Sequence, residues 1–165
     1  MGNNNWFTPP WILDSVYKFY DGSIDLDPFY HPDSLVKATT TYTEKEDGYK
    51  QPWSGNVYAN PPYSRPNLGL ATEKAKKEYQ DTPGIQILML IPAYTSTKWF
   101  QENVFNSAAA VLFYNKRISF LGGKQGSPTF HSVLVYWGTR LKEFVNIFNK
   151  FGYVTIPPPK FSLFD

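Results

Sequence analysis

Apolar and polar positions along this chain change period several times, and each change marks an element. Ile12, Val16 and Phe19 recur at helical spacing behind Thr8-Pro9-Pro10. The pattern predicts a helix from Pro10 to Tyr20 with Thr8 as its N-cap, ended by Asp21-Gly22. Ser23 to Leu26 reads as a short strand closed by Asp27-Pro28-Phe29, and Ser34 to Thr43 holds another, since Val36, Tyr42 and the threonines favour extended chain. Val57-Tyr58-Ala59 is a third apolar run, ending in Asn60-Pro61-Pro62-Tyr63. Ser64-Arg65-Pro66 opens a helix to about Gln80, with Leu68, Ala71, Ala75 and Tyr79 on its inner face. Ile85 to Ile91 is apolar apart from Gln86, the mark of a strand buried on both faces. Ser96 or Thr97 caps a helix through Phe105, and Ala109 to Phe113 is the next buried strand. Arg117 to Phe120 reads as a small edge strand, and Leu121 to Phe130, with three glycines and a proline, as a mobile loop. Ser132 to Trp137 is a strand, Arg140 to Lys150 an amphipathic helix, Tyr153 to Ile156 a last strand, and Pro157-Pro158-Pro159 an extended tail.

Strands alternate with helices, so the chain is expected to form an α/β fold, a mainly parallel sheet with helices on both faces. Ligands of such sheets bind beyond the carboxyl ends of the strands. That rule gathers Asp27-Pro28-Phe29, Asn60-Pro61-Pro62-Tyr63 and Pro92-Ala93-Tyr94 on one rim. The length of 165 residues suits a single domain spanning 1–165.

Composition narrows the chemistry. There is no cysteine, which excludes disulfides and thiolate metal sites, and two histidines, His31 and His131, are too few for a histidine metal cluster. No metal is expected. The apolar runs fall far short of a membrane span, and with no apolar N-terminal segment the chain reads as cytoplasmic. The net charge of +2 permits a nucleic-acid partner without demanding one.

The candidate chemistry sits in Asn60-Pro61-Pro62-Tyr63. The two prolines remove backbone donors and hold φ, and they push the residues before them toward extended geometry. A carboxamide thus stands in a rigid loop beside carbonyls that no ladder claims, followed by an aromatic ring. The Asn60 oxygen and a proline carbonyl can accept both N–H bonds of an exocyclic amine while Tyr63 stacks on its ring.

Placed at a strand end of an α/β sheet, this motif resembles that of the amino-methyltransferases, which use S-adenosylmethionine. The order of motifs is similar to that of the short phage-type DNA adenine-N6 methyltransferases, the Dam-like phage family. Here the matching residues are Trp6-Phe7-Thr8-Pro9, Asp27, Asp47-Gly48 with Trp53, Asn60 to Ser64, Leu90-Ile91-Pro92-Ala93, and Ser132 to Tyr136. The resemblance implies a single-domain Rossmann-like methyltransferase sheet without a separate target-recognition domain. It implies DNA as partner, adenine N6 as target and protection of phage DNA from restriction, in the host cytoplasm. Asn60, Pro61, Pro62 and Tyr63 are the implied catalytic loop. Trp6, Thr8 and Pro9 are implied at the methionine end of the cofactor, with Asp27 and Phe29 at its charged end or ribose, Asp47 at its adenine and Asn60 bordering it. The turn after the first strand, Asp27 to His31, carries no glycine, and no acid ending the second strand stands out. Arg65, Lys98, Lys116, Arg117 and Lys124 fall beyond strand ends, where they can meet phosphates. The residues alone leave open cytosine N4 or RNA as target, or a non-catalytic nucleic-acid-binding module of the same fold.

Overall fold

Strand Gln86–Pro92 explains the layering. Every residue in it is buried, and successive side chains point to opposite faces. Leu88 and Leu90 pack with Ile12, Val16 and Phe19 of helix Pro10–Phe19. Ile87, Met89 and Ile91 pack instead with Leu68, Ala71 and Ala75 of helix Asn67–Asp81. Two apolar cores therefore lie on the two faces of one sheet, as a strand apolar throughout requires.

The molecule is a computed structural model that describes residues 5–122 and 128–158. In chain order its elements are α1 (Pro10–Phe19), β1 (Ile24–Asp27), β2 (Ala38–Thr41), β3 (Asn56–Ala59), α2 (Asn67–Asp81), β4 (Gln86–Pro92), β5 (Ala110–Tyr114), β6 (Ser132–Trp137), α3 (Leu141–Phe148) and β7 (Gly152–Thr155). A π-helical turn, Phe100–Phe105, precedes β5, and Thr97 Oγ1 accepts from the Phe100 N–H at 3.3 Å just ahead of it. The seven strands form one α/β sheet in the order β2-β1-β3-β4-β6-β5-β7.

The pairings β1–β2, β1–β3 and β3–β4 are parallel, whereas β4–β6, β5–β6 and β5–β7 are antiparallel. The sheet is thus mixed, not mainly parallel. No helix lies between β5 and β6 among the described residues, so β6 returns directly beside β5, and a direct return is antiparallel. Residues 117–120 form no strand. Instead Leu121 pairs with Phe7, each N–H donating to the other's carbonyl at 3.0 Å. Of the glycine-rich stretch, 123–127 lies outside the described residues, as does Pro159.

Local chemistry ends the elements. Helix α1 stops where Asp21 and Gly22 take positive φ of 54° and 106°, and Gly22 N–H closes back on Tyr17 O at 2.8 Å. The N-cap position of α1 is held by Pro9, not Thr8, and no side chain caps it. Two buried polar side chains find distant partners. Tyr20 donates to Val57 O at 2.7 Å, and the Gln86 carboxamide pairs with Tyr136 and Thr139. No helix among the described residues is long and apolar enough to cross a membrane.

Candidate active site

Because β1 to β4 run parallel, and β5 and β4 both run against β6, the carboxyl ends of β1 to β5 share one rim. A cleft of about 540 Å³ opens there, lined by Trp6, Phe7, Pro28, Phe29, Glu44, Asp47, Gly48, Tyr49, Asn60, Pro61 and Pro62 among others. A second, more open groove of about 620 Å³ lies between α1 and β2 at the start of β1, lined by Leu13, Tyr17, Leu35 and Ala38. It holds none of the candidate residues, so chemistry and not size selects the first cleft.

Asn60 follows β3 directly, and its carboxamide is held at both ends. Nδ2 donates to Trp6 O at 2.6 Å and lies 3.4 Å from Thr8 Oγ1. Since a backbone carbonyl only accepts, the nitrogen end must face Trp6 and Oδ1 must face the other way. There the Tyr63 hydroxyl lies 2.6 Å from Oδ1 and 3.0 Å from Leu90 O at the end of β4. Burial raises the Tyr63 phenol well above its ordinary range, so it stays a donor.

Thr8 is buried, and its hydroxyl is 2.6 Å from that of buried Tyr58 on β3. The expected helix cap is therefore a strut between the N-terminal segment and the Asn60 loop. A Thr at the N-cap would turn its oxygen onto the first helical N–H groups, but Pro9 and Pro10 have removed donors there.

Asp27 ends β1 with 3% of its surface exposed. Its Oδ1 accepts from Phe29 N–H at 3.0 Å, and burial outweighs that bond, pushing the carboxyl up to about 7. Asp27 does not line the cleft, although its neighbours Pro28 and Phe29 do. Phe29 packs at 4.8 Å from the Tyr49 ring and 5.8 Å from Trp53. Asp47 lines the cleft with a positive φ of 61°, bonded to Tyr49 N–H at 3.2 Å and paired with Lys50 at 3.1 Å. Gly48 beside it presses on the Pro28 carbonyl so closely that any side chain would collide, while Trp53 Nε1 holds the Gly48 carbonyl at 2.9 Å. The glycine missing from the turn after β1 is thus matched by one on the facing loop. Tyr49 also lines the cleft, and its hydroxyl is buried without a hydrogen-bond partner among the described residues.

Tyr63 does not line the cleft. Its ring stands nearly perpendicular to Phe120 and Phe130, at 5.9 and 5.5 Å, and Trp6 meets the same two rings at 5.7 and 5.4 Å. Arg65, Lys98 and Arg117 are exposed in the segments that follow β3, β4 and β5, none of them lines the cleft, and Lys98 lies 3.8 Å from Glu102. Lys116 sits 4.9 Å over the Trp11 ring. Lys124 lies outside the described residues. His131 is exposed, and its carbonyl accepts from Ala93 N–H.

Three contributors escaped the sequence reading. Glu44 lines the cleft just past β2 and was findable as the first acid after a predicted strand. Tyr49 stands two residues past Asp47, within the same short loop, whereas the pair Phe120 and Phe130 had no local signal, because only folding brings them to Trp6 and Tyr63.

The comparisons with known proteins point to one family. The chain is 26% identical over 125 residues, covering 75% of it and 70% of the relative, to a DNA N-6-adenine-methyltransferase of Haemophilus phage HP1 (strain HP1c1). It is 32% identical over 108 residues to a DNA N-6-adenine-methyltransferase of Escherichia phage T1, covering 64% of this chain and 43% of that one. The family model described as DNA N-6-adenine-methyltransferase (Dam) matches residues 2–149. With Asn60 fixed on the rim of an α/β sheet and nearly the whole chain matched, this protein belongs to the DNA N-6-adenine-methyltransferase (Dam) family.

Proposed function

We propose that the chain methylates the exocyclic N6 of adenine in DNA, with S-adenosylmethionine as methyl donor bound in the Asn60 cleft. The observation that carries this reading is the Asn60 carboxamide, held by Trp6 O so that Oδ1 points away from the N-terminal segment. Oδ1 accepts an N–H of the target amine. As the amine nitrogen gains positive charge, a fixed acceptor favours the transition state over the ground state.

The cleft suits a purine nucleoside with a cationic tail. Its volume falls in the usual range for such ligands. Phe29 and Tyr49 supply apolar walls. Asp47 takes the adenine amino group, Glu44 the ribose hydroxyls, and Trp6, Thr8 and Pro9 flank the methionine end. Asp27, which holds the Phe29 N–H, answers the positive charge. When bound, S-adenosylmethionine supplies a methyl group on a sulfonium, which is electrophilic enough to need neither strong base nor metal. The protein's task is alignment. A base inside a duplex cannot reach Asn60, so the target is flipped out or single-stranded. Arg65, Lys98 and Arg117 hold the flanking phosphates.

The test is transfer of labelled methyl from S-adenosylmethionine to unmethylated DNA, followed by digestion to nucleosides. Label in N6-methyladenosine is expected. Asn60→Ala should lower transfer by about 10²-fold or more while leaving cofactor affinity nearly unchanged. Label in cytosine would move the target, and full activity of Asn60→Ala would remove its assigned role.

A further inference from the structure

We propose that Tyr63 serves the reaction through its hydroxyl, as a positioning residue that sets the Asn60 oxygen, and not by its ring alone. The inference rests on the reading of Asn60 as the acceptor for the target amine.

A carboxamide on a loop can rotate about its last torsion, and its two ends look alike in shape but opposite in chemistry. Asn60 is denied that freedom. Trp6 O holds Nδ2 at 2.6 Å from the N-terminal segment, and Tyr63 meets Oδ1 at 2.6 Å from the other side. The phenol is anchored in turn by Leu90 O, 3.0 Å away at the end of β4. The N-terminal segment thus holds the amide directly, and the end of β4 holds it through the Tyr63 hydroxyl.

The phenol has one proton and two acceptors in reach, Asn60 Oδ1 and Leu90 O. Oδ1 itself has two lone pairs. Without substrate, the proton bonded to Oδ1 holds that oxygen in place. When an amine N–H arrives at Oδ1, the phenol can turn its proton to Leu90 O and keep a partner. Neither buried group is left unpaired in either state, so engaging the amine carries no penalty from Tyr63. The proton moves only by rotation of the O–H bond, and no bond to it breaks. A phenylalanine keeps the ring and its contacts with Phe120 and Phe130 but loses both functions.

The test uses Tyr63→Phe in the full chain. We would measure kcat, KM for unmethylated DNA, the Kd for S-adenosylhomocysteine and the thermal midpoint. The expected result is a kcat lower by about five- to tenfold, the cost of losing the hydrogen bond that places Oδ1 ahead of the amine's arrival, with KM and Kd within about twofold of wild type. Wild-type kcat in Tyr63→Phe would overturn the proposal and leave the ring as the working part, with the Asn60 reading intact. A joint fall of kcat, cofactor affinity and midpoint would mark the hydroxyl as a general structural group and overturn it equally. Wild-type protein that transfers no methyl to DNA would sink the Asn60 reading itself, and this inference with it.

Discussion

Asp27→Asn should make the fold more stable and the site weaker, and pH separates the two effects. In the folded protein the carboxyl titrates near 7, because burial penalises its charge more than the Phe29 N–H rewards it. In an unfolded chain an aspartate titrates at about 3.9. Below about pH 4 both states hold the proton and the group has no effect. As pH rises from about 4 to about 7, the unfolded chain ionises while the folded one resists, so stability falls by about 1.4 kcal/mol per pH unit. Above about 7 both are ionised and the loss levels off at about 4 kcal/mol. Asparagine keeps an oxygen for Phe29 N–H and abolishes this slope, but its amide N–H groups find little to bond, at a cost of about 1–2 kcal/mol. The variant should therefore match wild type near pH 5 and exceed it by about 2–3 kcal/mol at pH 8. Urea unfolding followed by tryptophan fluorescence at pH 5, 6, 7 and 8 measures the difference. A difference that stays constant across that range would refute the assignment of a buried, reluctant carboxylate. On the proposed function, a cation in the cleft draws Asp27 into its charged form. Affinity for S-adenosylmethionine should then rise with pH toward 7 in wild type and stay flat in Asp27→Asn.

Two further substitutions probe the supports of the cleft. Gly48→Ala places a methyl group against the Pro28 carbonyl, which is backbone and cannot swing aside; the loop carrying Asp47 should shift, and calorimetry should show cofactor affinity down by about tenfold or more. Thr8→Val keeps the shape but leaves the fully buried Tyr58 hydroxyl without its 2.6 Å partner, so chemical denaturation should show a loss of about 1–3 kcal/mol, and an unchanged midpoint would mean that the hydroxyl pair contributes nothing.

Much of this protein was legible in its sequence, and the legible parts share a cause. Helices α1 and α2, strands β4 and β6 and the Asn60 loop are set by local chemistry: apolar period, proline, and the Asp21-Gly22 stop. The family motifs could be read for the same reason, since each is a short run whose stiffness or charge lies in adjacent residues. What depended on long-range contact could not be read. The antiparallel half of the sheet follows from how β5 and β6 are joined, not from either strand's composition. Residues 117–120 have strand-like side chains but find no ladder, because Leu121 is drawn to Phe7 instead. Thr8 reads as a cap by its place before a helix, yet Tyr58, 50 residues away, claims its hydroxyl. Tyr63 reads as an exposed stacking ring, yet Leu90 and Asn60 hold its hydroxyl inward. The sequence by itself determined which groups are available and which segments are stiff. Only the tertiary structure decided which buried donor meets which acceptor, because leaving such groups unpaired is costly and the cheapest partner is the nearest in space, not in sequence.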